Sequence, residues 1–211
     1  MQNEDVKSLI QNVATADSAD SLLNAVESLV EANNQEAIPT LIEVLGYNNP
    51  GAAVAAVDGL INLGDVAVPS LLAQIDGYNY GARAWATRAL AGIGNPLALD
   101  LLLSTAMSDF SLSVRRAAAR GLGKISWSHL PDKEVATAQI KTLNTLIKVL
   151  EDPEWVVRYA AVVGLENLAL SLQATEANYS NQIIEKLQSF IKNELELAVC
   201  IRAKLALTHL V

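Results

Sequence analysis

The sequence contains one cysteine, Cys200, and two histidines, His129 and His209, in 211 residues. A single cysteine excludes an internal disulfide and is typical of a protein in a reducing cytosol. The histidines are far apart and lack the companions that a metal site needs, so we expect no bound metal. No Ser/His/Asp set and no Gly-rich phosphate loop can be assembled. We therefore expect a binding protein without catalytic residues of its own.

The chain also lacks excess positive charge and long apolar runs. Its formal net charge is -8, whereas nucleic-acid binding needs clustered lysine and arginine, so nucleic acid is not an expected partner. No run of consecutive apolar residues reaches the ~18 of a membrane span, so membrane insertion is not expected. Aromatic residues are scarce, at 5%, although hydrophobic residues make up 51%. Small and aliphatic side chains in such excess suit closely packed helices.

A short motif recurs along the whole chain. It consists of a small residue, an aliphatic residue, two variable residues and a second aliphatic residue. The first aliphatic position, here called the central position, is occupied by Val26, Leu60, Leu90, Leu122, Leu165 and Leu207. Alanine lies four residues earlier in every full copy, and glycine or alanine lies one residue earlier. These offsets fall on one face of a helix, and an apolar helical segment precedes each copy.

Repeats of this kind predict the fold. Each repeat would contain two helices that cannot bury their apolar faces alone, so neighbouring repeats must stack. The sequence therefore predicts an all-α fold, a crescent-shaped HEAT-like α-solenoid of about six helix pairs. We expect one domain over residues 1–211. The longer segments at 126–140 and 169–182 are predicted to form loops or an extra helical turn.

One column of arginines lies beside the buried stripe. Arg83, Arg115 and Arg158 each lie seven residues before a central leucine, at the border of the stripe. Asp109 and Asp152 each precede the arginine of the same repeat by six residues. We expect a structural ladder, in which arginine stems pack between repeats and their head groups bind turn carboxylates or carbonyls.

A second set of residues lies on the opposite, outward side of the second helices. We name it the outward lane, and its members are Asp58, Trp85, Arg88, Arg116, Arg120 and Tyr159. Two cations beside a flat aromatic wall would suit an extended conjugated ligand with carboxylates. An acidic peptide or protein helix would suit the lane equally well. The third interpretation is that the lane has no binding role, so that its arginines are simply solvated and the tryptophan lies beside them by chance.

The turn before the third repeat's second helix contains Tyr78, Asn79, Tyr80 and Gly81. Glycine permits a tight bend, so a simple helix connector is one interpretation of this turn. The other is a contact with a ligand or partner, because two tyrosines would lie at the mouth of the outward lane.

The stretch YNYGARAWATRALAGIGNP, residues 78–96, strongly resembles the E/F-type phycobilin lyases of cyanobacteria, which are HEAT-repeat proteins. The following LALDLLLSTAMSDFSLSVRRAAARGLGKI resembles their next repeat. In size and acidic balance the chain is most similar to the F subunit of the phycocyanin α-subunit phycocyanobilin lyase.

This resemblance implies an activity. Such proteins are heterodimers with an E-type lyase subunit, and they attach phycocyanobilin through a thioether to a cysteine of the phycocyanin α subunit. Phycocyanobilin would be a substrate, with no permanently bound cofactor. The implied place is the cyanobacterial cytoplasm, where the phycobilisome, the antenna complex of photosynthesis, is assembled. Related lyases that also isomerise the bilin carry a His–Cys pair, which this sequence lacks, so attachment without isomerisation is implied.

The resemblance also suggests roles for individual residues. It implies that Arg88 and Arg120 bind the bilin propionates, and that Trp85, Tyr78 and Tyr80 contact the tetrapyrrole or the partner subunit. Asp76 and Asp58 are candidates for pairing with the pyrrole nitrogens. The competing class is a non-catalytic HEAT-repeat adaptor or chaperone for phycobiliproteins or other proteins, and a chromophore-detaching member of the same family is related to it.

Overall fold

The computed structural model describes residues 3–75, 80–172 and 177–210. These ranges contain twelve α-helices and no strand: α1 (Asn3–Thr15), α2 (Ala19–Glu31), α3 (Ile38–Val44), α4 (Pro50–Leu63), α5 (Val68–Ala73), α6 (Tyr80–Ile93), α7 (Leu99–Ser108), α8 (Leu112–Leu122), α9 (Asp132–Val149), α10 (Trp155–Leu172), α11 (Ala177–Ile191) and α12 (Leu197–Leu210). Successive helices form six pairs. The predicted all-α, HEAT-like fold is confirmed.

The chain divides into two compact units, Met1–Ile93 and Gly94–Val211. In the first unit, the second helices α2, α4 and α6 pack side by side, and α3 packs on both α4 and α5. In the second unit, α8, α10 and α12 form the corresponding row, while α7, α9 and α11 pack against its members. One domain over residues 1–211 stays a prediction.

Local sequence signals determine where several helices begin and end. Ser18 and Ser21 form a capping box at α2, in which the Ser18 hydroxyl accepts from the Ser21 N–H at 3.2 Å. Asn49 caps α4 in the same way through the Ala52 N–H, at 3.0 Å. Pro50 follows at the first helical position, where its missing N–H costs little. Gly64, with a φ of 73°, ends α4 in a conformation that suits glycine.

The repeat motif forms the core. Its central residues are fully buried from Val26 through Leu165, and the alanines four residues earlier are buried as well. The small residue before each central leucine allows close approach. A Cβ added at Gly164 of α10 would lie 2.5 Å from the carbonyl oxygen of Ala119 in α8. The two helices are therefore in backbone contact at this position.

Of the two alternatives predicted for the longer segments, loops or an extra helical turn, the structure favours helix. After a short 3-10 turn at Trp127–His129, residues 132–149 form α9, a helix of 18 residues. Residues through Leu172 extend α10 to the same length, and α11 begins at Ala177. The described inserted residues therefore mainly lengthen helices, and Ala138, Ala169 and Leu172 among them are buried.

Two segments, Pro50–Ala73 and Trp155–Leu172, are long and apolar enough to cross a membrane by length and composition alone. The first is interrupted after Leu63 by a 3-10 turn and consists of two helices, α4 and α5. The second is α10, which packs against α8, α9, α11 and α12. Their apolar character is explained by burial among neighbouring helices.

Candidate functional site

Trp85 and Arg88 form the outward lane of the first unit. Both lie in α6, one turn apart, with Trp85 half-buried and Arg88 exposed. The Arg88 Cζ atom lies 5.4 Å from the centroid of the Trp85 ring, which is within the range of a cation–π contact. Asp58 is exposed on α4, the helix that packs against α6. This unit therefore presents a cation on an aromatic face, with a carboxylate on the neighbouring helix.

The second unit presents Arg116 and Arg120 on α8. They lie one turn apart, and both side chains are exposed. Leu112, a further turn earlier, is 40% exposed and completes a stripe in which every fourth residue faces outward. Two guanidinium groups on one face of one helix can bind two carboxylates of a single ligand.

An aromatic pair lies on the neighbouring helix, α10. Tyr159 is 38% exposed, and Trp155, one turn earlier, is 44% exposed. Since α10 packs directly against α8, the second unit places an aromatic surface beside a cationic one. Sequence reasoning missed Trp155, although its four-residue spacing from Tyr159 is the signal that could have revealed it.

The arginines of the ladder bind both their own turn and the next one. Arg115 donates through Nε to Asp152 Oδ2 at 2.7 Å and through Nη2 to Oδ1 at 3.1 Å. Its Nη1 donates to the Asp109 carbonyl at 2.8 Å. The hydrogen bond with Asp152 is the main reason that the pKa of Arg115 is raised. These contacts join the turn before α8 to the turn before α10.

Arg158 repeats this geometry one repeat later. Its Nε and Nη2 donate to the two carboxylate oxygens of Glu194 at 2.7 and 2.8 Å, and its Nη1 donates to the Asp152 carbonyl at 2.9 Å. The hydrogen bond from Arg158 is the main reason that the pKa of Glu194 is lowered. Arg83, the third residue of this column, is half-buried in α6. The stabilising role of the ladder stays a prediction.

Sequence reasoning missed Glu194, because the other acidic residues of this column are aspartates. The column ends at Cys200, whose Sγ donates to the Glu194 carbonyl at 3.1 Å. The Nη1 atoms of the ladder arginines donate to carbonyls of their own turns in the same way.

A further missed cluster joins α10 to α12. The buried carboxylate of Glu166 binds both Arg202 and His209. No short sequence pattern signals it, since its members lie in different repeats.

Three predicted site residues lie wholly or partly outside the part of the chain that the structure describes. Tyr78 and Asp76 lie outside the described residues, and for Tyr80 only the backbone is described, as the first residue of α6. Within the described ranges, no three His, Cys, Asp or Glu side chains are grouped to hold a metal ion. The described site can bind anions and flat apolar groups.

Comparisons with known proteins identify the family of the chain. The chain matches HEAT repeats over residues 6–91 and 68–166. It is 57% identical to the phycocyanin alpha phycocyanobilin lyase CpcF of Synechocystis sp., over 92% of this chain and 89% of that protein. It is 53% identical to a phycobilisome maturation protein of Synechococcus elongatus, over 94% of each chain.

Solved structures show the same relationship. The chain superposes, with a TM-score of 0.76 and 48% identity, on a chain of the complex of CpcE and CpcF of phycocyanin lyase from Nostoc sp. PCC7120. The match covers 82% of this chain and 99% of that one. A designed armadillo repeat protein bound to a peptide shares only the fold, at 18% identity and a TM-score of 0.57. The chain therefore belongs to the phycocyanobilin lyase family of HEAT-repeat proteins, the family of CpcF.

Proposed function

We propose that this chain is the F-type subunit of a heterodimeric bilin lyase, active with an E-type partner subunit. The enzyme binds phycocyanobilin and attaches it through a thioether to a cysteine of the phycocyanin α subunit, without isomerising it. The observation that carries the proposal is the 57% identity to CpcF over 92% of the chain. The place of action is the cytoplasm of a cyanobacterium, where the phycobilisome is assembled.

The outward lane is the proposed bilin surface. In the second unit, Arg120 and Arg116, one turn apart on α8, are the candidates for binding propionate carboxylates. In the first unit, Arg88 is the candidate for the same type of contact. Trp85, on its own unit, and Tyr159 provide flat apolar surfaces for pyrrole rings. Trp155 extends the surface of Tyr159 by one turn. The cation–π contact between Arg88 and Trp85 holds both side chains on one face before a ligand arrives.

Chemistry at this surface consists of positioning. The acceptor cysteine of the phycocyanin α subunit adds its sulfur to the ethylidene carbon of ring A, and the thiol proton goes to the bilin. One S–C bond forms and one C=C bond is lost, so no oxidant or reductant is needed. Stabilising the protonated bilin makes that carbon more electrophilic. Asp58, the carboxylate of the outward lane, is the candidate for pairing with the pyrrole nitrogens. Holding the bilin in one orientation provides much of the acceleration.

Co-expression tests the function. The chain is produced with an E-type subunit, apo-phycocyanin α and a source of phycocyanobilin, and the α subunit is examined for covalent, red-absorbing product. The proposal requires product that depends on this chain. A stable complex with E-type subunits that never yields product would identify a non-catalytic adaptor or chaperone instead. Product with a shifted, isomerised chromophore would contradict attachment without isomerisation.

Substitutions test the bilin surface separately. Arg88→Ala, Trp85→Ala and Arg120→Ala should each lower bilin transfer about tenfold or more, because each removes a charge-assisted or aromatic contact. Helicity and the melting temperature of Arg88→Ala and Arg120→Ala should remain close to those of the wild type, since both side chains are exposed. Lys148→Ala, which removes an exposed cation from α9, is the matched control. Normal transfer by all three lane variants would exclude the lane as the bilin surface.

A further inference from the structure

The last helix, α12, carries an apolar stripe that the fold does not bury. Leu197, Ile201 and Leu205 are spaced by four residues and are 69%, 56% and 47% exposed. Leu195, in the turn that precedes the helix, is 98% exposed. This spacing places the three helical residues on one face. We name these four residues the terminal apolar stripe.

The opposite face of the same helix already forms the core contacts. Val199, Ala203 and Ala206 are fully buried, where α12 packs against α10 and α11. The stripe is therefore not needed to attach α12 to its own unit. Contiguous exposed apolar side chains of this size mark interaction surfaces on soluble proteins.

Charged contacts hold the stripe in place. The Glu194 carboxylate binds Arg158 and accepts the N–H of Glu196 at 2.8 Å, which fixes the turn that carries Leu195. Arg202 of α12 binds the buried Glu166 of α10. A surface fixed in this way loses little conformational entropy when a partner docks.

The stripe continues a row that includes the proposed bilin residues. Relative to the central leucine of each repeat, Ile201 takes the position of Tyr159 in α10 and Arg116 in α8. Because α8, α10 and α12 pack in order, the second unit's outward surface changes from cationic to aromatic to aliphatic. A protein that covers α12 would thus border the bilin surface.

We propose that the terminal apolar stripe is the docking surface for the E-type lyase subunit, an inference that rests on the proposed function. The relative solved in the Nostoc complex is paired with a second lyase subunit. Permanent interfaces of this type are larger and more apolar than the contacts of a transient acceptor protein. Glu196 and Lys204 adjoin residues of the stripe, so a complementary surface would be an apolar helix face with a basic group opposite Glu196 and an acidic group opposite Lys204.

The test is the affinity of the full chain for an E-type subunit, measured by isothermal calorimetry and native mass spectrometry. Leu197→Glu and Ile201→Glu should each weaken the heterodimer at least about tenfold, since a charge would be buried in an apolar interface. Leu97→Glu is the matched control, because Leu97 is also 69% exposed and belongs to the same unit. It should bind like the wild type, and all variants should retain wild-type helicity.

Three outcomes would overturn the inference. Wild-type affinity of both stripe variants for the E-type subunit is the first. The second is a homodimer of the wild-type chain that Leu197→Glu dissociates, with E-type binding unchanged. The third is that the stripe variants lose binding to apo-phycocyanin α but keep wild-type binding to the E-type subunit. The proposed function would fail on a different result, namely that the wild-type chain and the E-type subunit together yield no covalent bilin product.

Discussion

Arg115 and Asp152 lie 37 residues apart in the sequence and are joined by two parallel hydrogen bonds, at 2.7 and 3.1 Å. The two side chains are only 12% and 8% exposed. Bidentate pairs in such a setting are stronger and more specific than exposed ion pairs, since solvent screens them less. The pair is therefore a contact between two repeats and not an exposed surface ion pair.

We expect Arg115→Ala to lower the free energy of unfolding by about 2–4 kcal/mol, because it leaves the Asp152 carboxylate and the Asp109 carbonyl without their donor. Urea denaturation measures this loss in the free energy of unfolding. Arg116→Ala is the neighbouring control, and it should change stability by no more than about 0.5 kcal/mol because Arg116 is exposed. Equal effects of the two substitutions would contradict a structural ladder.

The pKa of Glu194 predicts a pH dependence. The hydrogen bond from Arg158 lowers this pKa below the ordinary value of 4.5, so ionised Glu194 stabilises the folded chain above pH 4.5. That contribution is lost as the pH falls through the folded-state pKa. Glu194→Gln should therefore unfold at lower urea than the wild type at about pH 7, and the difference should narrow at about pH 3.

Glu196→Gln provides the comparison for this titration. Glu196 lies two residues further on and is half-exposed. The hydrogen bond with Glu194 is the main cause that raises the pKa of Arg158, and the charge of Glu196 is the smallest. Its substitution should shift the urea midpoint little at either pH. A gap between Glu194→Gln and the wild type that stays constant across the titration would show that Arg158 does not control the Glu194 carboxyl.

The sequence predicts the features that repeat and misses those that occur once. The arginine column and the outward lane follow from a period of 3.6 residues aligned on six central positions, and the structure places Trp85 against Arg88 accordingly. The sequence spacing places Asp152 in the turn before Arg158, but the Asp152 carboxylate accepts from Arg115 of the preceding repeat. Which repeat a turn carboxylate reaches depends on helix offset, and no local pattern encodes that offset.

The Glu166 cluster illustrates the same limit. A glutamate beside a central leucine suggests a solvated residue, yet the Glu166 side chain is only 6% exposed and binds Arg202. Burial of this charge is possible only because its partner comes from the next repeat, 36 residues away. Sequence periodicity predicts the faces of helices, but it does not predict which charged pairs are enclosed between them.

Substitution of Glu166 should have a large effect. Glu166→Ala leaves the nearly buried guanidinium of Arg202 without its carboxylate, and we expect a loss of about 3–5 kcal/mol in the free energy of unfolding. Glu185→Ala, in the exposed face of α11, should cost no more than about 0.5 kcal/mol. The double variant Glu166→Leu/Arg202→Leu should recover much of the loss, because it removes both charges from the interior.

Gly164, in α10, should tolerate substitution poorly. A Cβ there would lie 2.5 Å from the Ala119 carbonyl oxygen, and backbone atoms cannot move aside as a side chain can. Gly164→Ala should therefore lower stability by about 1–3 kcal/mol despite the higher helix propensity of alanine.

Gly51 of α4 provides the control, because the nearest atom to a Cβ added there is at 3.4 Å. Gly51→Ala should therefore be neutral or stabilising by up to about 1 kcal/mol. Thermal denaturation of the two variants compares them directly, and a Gly164→Ala protein as stable as Gly51→Ala would show that α8 and α10 are not in backbone contact.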